Sequence, residues 1–273
     1  MPFAHHSSMG RNEQPFFSIV TITLNDLAGF RATRSSVEEQ STRDFEWLVI
    51  DGASTDGTAA ELEACTFPNL SYVSEKDKGL YNAMNKGLSR CRGRYTIFMN
   101  SADCFAGPKV LEAVKQRVLD AGATPDLVFG DALERTEDSK LLLKKARTIE
   151  WLNYGMHTHH QAILYSAAAL AGIQFDESFR VAGDYDLTCK IYARGGSSLA
   201  LDLPICIFSR GGVSETKSHV ARSENWRVQR DVLRHTLSRR LLTKTAYLAS
   251  FVVRTKFRPT YDRLRFQHDH SQS

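Results

Sequence analysis

Four groups of side chains in this 273-residue chain have types and spacings suited to chemistry. The first is Asp103, which closes the run Ile97-Phe98-Met99-Asn100-Ser101-Ala102-Asp103. Apolar residues that stop abruptly at Asn, Ser and Asp read as a buried strand running out into a polar turn. Open α/β sheets bind ligands in the crevice beyond their strand ends. Mg²⁺ and Mn²⁺ often take one or two carboxylates and fill the rest of their shell with phosphate oxygens and water. A single Asp at such a place is therefore chemically sufficient to hold a divalent cation and, with it, a diphosphate. The second is Asp51, which follows Phe45-Glu46-Trp47-Leu48-Val49-Ile50 and opens the turn-rich stretch Gly52-Ala53-Ser54-Thr55-Asp56-Gly57-Thr58. An Asp there can accept hydrogen bonds from a base or a ribose. The third is the pair Asp184 and Asp186, of which one could act as general base toward an attacking hydroxyl. The fourth is His157, His159 and His160. If they lie on a strand, His157 and His159 share a side, and the absence of a carboxylate at metal spacing favours hydrogen bonding to phosphate or sugar over metal ligation. Taken singly, each acid also reads as a turn or helix-capping residue.

The elements that must position these residues alternate. Phe16–Leu24, Phe45–Ile50, Leu70–Ser74 and Tyr95–Met99 are apolar or β-branched and read as strands. Between them lie helical patterns: Phe30 and Val37 before Ser41, Ala59 to Cys65, and Leu80, Met84 and Leu88 at i, i+4, i+8. Each strand ends in polar residues, Asn25-Asp26, Asp51, Glu75 to Asp77, and Asn100 to Asp103. Four such endings in succession predict an α/β fold with a mostly parallel central sheet flanked by helices, its ligand rim along one edge in the Rossmann manner. Farther on, Val110–Leu119 reads as an amphipathic helix, Leu127–Asp131 as a strand ending in another Asp, and Glu134–Lys145 as a hairpin or loop. Phe175–Phe179 reads as a turn, Val181 to about Ala193 as a segment leading into a helix stopped by Gly195-Gly196, Leu199–Phe208 as a strand and Ser209–Ser214 as a loop. No element is assigned to Trp151–Met156.

Composition narrows the classes. A quarter of the residues are charged (24%), ordinary for a globular chain. The five Cys are scattered, with no C-x-x-C pair, which points to free thiols in a reducing, cytoplasmic setting and gives no zinc framework. Residues 1–15 lack the apolar core of a signal peptide and are set aside as a disordered start. The apolar stretch Ala246–Val253 is far short of the ~20 residues of a membrane span. The net charge of +4 is uneven: Lys217 to Arg265 holds 13 Lys/Arg against 3 Asp/Glu, a surplus of 10, which leaves −6 for the rest. Residues 216–273 thus read as a basic helical extension. Its Trp226, Leu233, Leu237 and Leu241 fall on one stripe, and its charge suits an anionic membrane surface on the inner face of the cytoplasmic membrane. Nucleic acid would also suit the charge, but no recognition motif accompanies it.

In order and spacing, several of these stretches together resemble the inverting family 2 glycosyltransferases of the GT-A fold. They are Ser18-Ile19-Val20-Thr21-Ile22-Thr23, Val49 through Thr58, Asp77-Lys78-Gly79-Leu80-Tyr81-Asn82 on to Gly87, and Asn100-Ser101-Ala102-Asp103. His160-Gln161, Phe175-Asp176, Ala182 through Leu187 and Gly211 through Ser214 extend the likeness, closest to enzymes of bacterial exopolysaccharide synthesis of the colanic-acid type. The resemblance covers 16–215, with 16–105 as the nucleotide-sugar-binding half and 106–215 as the acceptor and catalytic half. It implies nucleoside contacts from Thr21, Asn25 and Asp51, and donor-site positions at Lys78, Gly79, Asn82, Asn100 and Ser101. It further implies a Mn²⁺ or Mg²⁺ ligand in Asp103 and a catalytic base in Asp184, with His160, Gln161 and Asp186 as acceptor or phosphate contacts. The chain departs from the family at Ser101, where many relatives carry the first Asp of D-x-D, and at Gly183, where a Glu precedes the base. The expected activity is inverting sugar transfer from a nucleotide-sugar, UDP-linked before GDP-linked, to a hydroxyl of a glycan or polyprenyl-linked glycan in cell-surface polysaccharide synthesis. Two other classes compete. A nucleotidyltransferase would show a Gly-rich, basic first-strand loop, which Thr23–Gly29 is not; a non-catalytic nucleotide-sugar-binding homologue is suggested by Ser101.

Overall fold

In the computed structural model, which describes residues 4–5, 14–136, 138–209 and 218–245, the strand patterns become one ten-stranded sheet. Its first half is β1 (Ala4–His5), β2 (Phe17–Thr23), β3 (Phe45–Asp51), β4 (Leu70–Ser74) and β5 (Tyr95–Phe98). These strands are joined through helices α1 (Leu27–Glu38), α2 (Thr58–Ala64) and α3 (Leu80–Leu88). The second half holds β6 (Cys104–Phe105), α4 (Val110–Asp120), β7 (Leu127–Arg135), β8 (Leu141–Lys144), β9 (Ile163–Ser166), α5 (Ala167–Leu170), α6 (Gly183–Ala193), β10 (Ser198–Ser209) and α7 (Ser218–Asp231). Short 3₁₀ turns occupy Ile149–Asn153 and His160–Ala162. The strand order is β1-β4-β3-β2-β5-β9-β7-β10-β6, with β8 paired to β7.

Parallel pairing holds where the βα alternation predicts it, in β4-β3-β2-β5. Beyond β5 the sheet is mixed, a correction to the mostly parallel expectation. β9 runs antiparallel between β5 and β7, and only β7 and β10 are parallel to each other. The reason lies in the connections: β9 arrives through the 145–162 segment rather than through a crossover helix, and helices are what enforce parallel order. β7 also runs on past Asp131 to Arg135, because its first residues pair with β9 and its later ones with β8. Asp131 is therefore a buried mid-strand residue, accepting from the Ala146 N–H at 2.8 Å and facing Lys145 Nζ at 3.0 Å. It is not part of the ligand rim.

Period-two alternation divides the core. Ile19, Trp47, Val49 and Ile97 join α1, α2 and α4 on one face; Val20, Leu48, Ile50 and Phe98 join α3, α6 and α7 on the other. Helix α7 is thus no loose appendage, since Val228 lies fully inside the second layer. Of the segment set aside at the start, Ala4–His5 pairs antiparallel with β4. The 211–214 loop and the apolar 246–257 segment lie outside the described residues. Among the described residues no helix is long and apolar enough to cross a membrane.

The end of the sheet opposite the rim is pinned by one buried carboxylate. Glu46 accepts from Ser18 Oγ at 2.6 Å and from the Arg92 Nε at 2.9 Å, while Ser18 Oγ accepts from the Gly93 N–H at 2.8 Å. A Cβ on Gly93 would stand 2.4 Å from the Ser18 nitrogen, and backbone cannot move aside. Gly93→Ala should therefore cost about 1–3 kcal/mol, the range for overpacking, read as a lowered denaturation midpoint without loss of the folded baseline.

Candidate active site

The ends of β2 and β5, the start of α3, the 156–161 segment, the start of α6 and the end of β10 surround a cleft of about 860 Å³. Three turns on the rim hold non-glycine residues in the left-handed region: Asn25 (φ 50°), Ala53 (φ 66°) and Ala102 (φ 71°). Such conformations are held only where the surroundings over-determine them. The surroundings here are explicit. Asn25 donates its N–H to Ser54 Oγ at 2.7 Å and accepts from the Thr55 N–H at 2.8 Å, tying the β2 end to the β3 end. The 100–103 turn is fastened to α1 by Thr33 Oγ1, which donates to the Asp103 carbonyl at 2.8 Å.

Asp103 is 6% exposed, and its carboxylate accepts from Gln161 Nε2 at 2.6 Å. Burial pushes its pKa up to about 7, against the lowering effect of the Gln161 amide. Asp184 sits on the first turn of α6, with 21% of its side chain exposed to the cleft. Burial raises its pKa above the usual carboxylate range, and His160 opposes that rise. Burial lowers the His160 pKa, and Asp184 opposes that shift. It reaches Asp184 Oδ2 through Nδ1 at 3.5 Å and Asn100 Nδ2 through Nε2 at 3.5 Å. The neutral ring with its proton on Nδ1 satisfies both contacts, and so links the β5 end to the start of α6.

The residues expected at the site divide. Gly79, Asn100, Ser101, Asp103, His160, Gln161 and Asp184 line the cleft together. Thr21, Asn25, Asp51, Lys78, Asn82 and Asp186 do not border it. Thr21 is fully buried, its hydroxyl accepting from the Trp47 indole at 2.9 Å. Asp51 is fully buried too and braces its own loop, accepting from the hydroxyls of Ser54 and Ser74, each at 2.5 Å. The Lys78 N–H donates to Asn82 Oδ1, and Asn82 Nδ2 reaches Glu177 at 3.1 Å, so this pair ties α3 to the 175–179 turn. Asp186 pairs with Lys190 at 2.6 Å, one turn along the same helix. His157, His159 and His160 all border the cleft, although 157–160 bends instead of running as a strand. His157 packs edge-on against Phe129, and neither of its ring nitrogens has a hydrogen-bond partner among the described residues. His159 stacks on Phe208 and meets Glu134 at 2.9 Å.

Several residues of the site were not singled out from sequence. Asp26 accepts from Ser101 Oγ at 2.7 Å, placing a carboxylate beside the position where the family's first D-x-D Asp is missing. Tyr81 accepts from the Gly183 N–H at 2.8 Å, and a Cβ on Gly183 would stand 2.7 Å from the Tyr81 ring. Gly183 is thus glycine because the phenol occupies the space a side chain would need. Tyr81 lay within a noted stretch, but nothing in the sequence distinguished it from its neighbours.

The residues present suit a hard divalent cation in a limited way. Among the described residues no three His, Cys, Asp or Glu side chains converge as a cage. Asp103, however, is a buried carboxylate with no basic side chain paired to it among the described residues, and the adjacent Asn100 Oδ1 is buried without a hydrogen-bond partner among them. Two oxygen donors of this kind, completed by phosphate and water, fit Mg²⁺ or Mn²⁺.

Comparison with known proteins agrees with this geometry. Residues 18–171 match the family model described as Glycosyl transferase family 2. An uncharacterized glycosyltransferase of Mycobacterium tuberculosis is 31% identical over 208 residues, covering 73% of this chain and 77% of that protein. The S. aureus TarS 1-349 structure in complex with UDP-GlcNAc superposes with a TM-score of 0.63 at 17% identity, covering 90% of this chain and 78% of that one. The mannosyltransferase PcManGT of Pyrobaculum calidifontis, in complex with GDP-Man and Mn²⁺, gives 0.58 at 16% identity, covering 96% and 88%. The fold is that of the GT-A glycosyltransferases, and the chain belongs to glycosyl transferase family 2.

Proposed function

We propose that the chain transfers a sugar from a nucleotide-sugar to an acceptor hydroxyl with inversion, using Asp184 as base. The observation that carries this reading is the placement of Asp184 and Asp103 on one cleft, the first on α6 and the second at the end of β5. The nucleoside lies over the braced ends of β2 and β3, near Asn25 and the Asp51 loop. The diphosphate lies toward Gly79, Asn100, Ser101 and Asp103. Asp184 removes the proton of the acceptor hydroxyl as its oxygen attacks the anomeric carbon. The bond from that carbon to the diphosphate oxygen breaks on the opposite face, and the nucleoside diphosphate leaves with the electron pair. Bound at Asp103 and Asn100, Mn²⁺ or Mg²⁺ would neutralise charge on that diphosphate as a Lewis acid. Asp184 ends protonated and returns its proton to solvent. A UDP-sugar is the favoured donor, supported by the TarS complex, with a GDP-sugar next, supported by PcManGT.

The acceptor class is a glycan or lipid-linked glycan of a cell-surface polysaccharide. The basic surplus between Lys217 and Arg265 supports peripheral attachment to an anionic bilayer, where each such residue adds on the order of 1 kcal/mol. Sedimentation with anionic vesicles tests this: co-pelleting that disappears in neutral vesicles is expected, and equal recovery from both rejects attachment.

Asp184→Asn should lower transfer about 10²–10⁴-fold, the usual worth of a general base, with donor affinity unchanged by calorimetry. Loss of donor binding together with turnover would instead mark Asp184 as structural. In the parent protein, turnover should fall as pH drops through the Asp184 pKa, because only the ionised form is a base. Burial raises that pKa, so the fall should come at higher pH than for an exposed carboxylate. Asp103→Asn should weaken Mn²⁺ binding, read by electron paramagnetic resonance without any substrate. An unaltered Mn²⁺ titration would remove Asp103 from the cation site.

A further inference from the structure

The chain just ahead of Asp184 is held by a residue from a distant part of the sequence. Glu224, on α7, is buried, and its carboxylate accepts from three successive backbone N–H groups: Arg180 at 2.8 Å, Val181 at 2.9 Å and Ala182 at 2.8 Å. The fourth, Gly183, donates to Tyr81 Oη. The next residue is Asp184. Backbone donors ahead of and within the first turn of a helix have no carbonyl partner inside it, and successive N–H groups in such a turn form a concave anion site. Here the anion is the chain's own carboxylate. No Lys or Arg is paired with Glu224 among the described salt bridges, so its oxygens are committed to this task. Asp176 and Ser178, in the turn that precedes the clamped residues, are in turn held by Arg227 of the same helix at 2.6 and 2.7 Å.

We propose that Glu224 is a positioning residue for the transfer reaction: by gathering the N–H groups of 180–182 it fixes where α6 begins and therefore where the Asp184 carboxylate is aimed. This rests on Asp184 being the base. Glu224 makes no contact with the cation-site residues or with the rim turns at Asn25 and Ala53, so its effect should fall on turnover and not on donor binding. It also lies close enough to oppose ionisation of Asp184. The groups that act on Asp184 are His160 from the 3₁₀ turn, Glu224 from α7 and the Tyr185 N–H on its own helix; Tyr81 from α3, Tyr165 from β9 and Cys189 from α6 feel its charge in return.

The test compares Glu224→Gln, Glu224→Asp and Asp184→Asn in the full chain, measuring kcat, donor KM, donor affinity, thermal midpoint and the pH profile of kcat. A glutamine keeps one acceptor oxygen and turns an NH₂ toward the N–H groups. Glu224→Gln should lower kcat on the order of 10–100-fold, as for a base displaced by about 1 Å, with donor KM and affinity within about twofold. Its acidic limb should move to lower pH, because a negative charge beside Asp184 has been removed. Glu224→Asp, which restores the charge, should bring the limb back and recover part of kcat. Wild-type kcat and an unmoved limb in Glu224→Gln would overturn the proposal. So would loss of donor affinity and thermal stability in proportion to kcat in both variants, which would make Glu224 a fold contact only. If Asp184→Asn retains turnover, the base assignment fails; if it abolishes turnover while Glu224→Gln does not lower it, only the positioning role fails.

Discussion

Two carboxylates, Asp103 and Asp184, face one cleft with no lysine or arginine paired to either among the described residues, and much of the surrounding structure answers that constraint. Removing a carboxylate from water without a cation is costly, and proteins meet the cost with hydrogen bonds or by raising the pKa. Asp103 uses both, with the Gln161 amide at 2.6 Å and a pKa near 7. Asp184 keeps part of its surface open and faces His160 Nδ1 at 3.5 Å. A basic partner at either place would stabilise the resting protein but would occupy the oxygens that the proposed reaction requires. The neighbouring amides and imidazole orient these oxygens without permanently neutralising them.

The mixed sheet bears on the same cleft. A purely parallel sheet would direct every strand end one way and bring no chain back across the β5 end. β9 runs against β5 and β7, so the 157–162 segment that leads into it comes back over the β5 end. That return places His160 and Gln161 beside Asn100 and Asp103. α6 then enters from the second layer, its first turn set against α3 by Tyr81. The Asp103 side and the Asp184 side of the cleft, the proposed donor and base sides, are thus built from opposite chain directions meeting at one edge.

What could be read from the sequence was what local chemistry encodes. β2 to β5 announce themselves because β-branched and apolar runs stop at Asn, Asp and Gly, and their pairing follows from the helices between them. The grouping of Gly79, Asn100, Ser101, Asp103 and Asp184 was legible for the same reason, as each ends a strand or starts a helix. What depends on distant partners was not. The inward turn of Asp51 is decided by Ser74 as well as Ser54, and the burial of Thr21 by Trp47. The three histidines reach the cleft through a bend that no spacing foretells. Glu224 carried least signal of all, one of two acids in a basic helix, yet it bonds to three residues more than forty positions away.

The left-handed residues Asn25, Ala53 and Ala102 carry one more consequence. A loop that must be bent into shape by its ligand gives up freedom at the moment of capture, and the loss is subtracted from affinity. Torsions already locked by side chains on adjoining turns have given up that freedom during folding. Capture of a nucleotide at this edge should therefore carry little ordering entropy, and any large unfavourable entropy seen on forming the ternary complex would belong to the acceptor side.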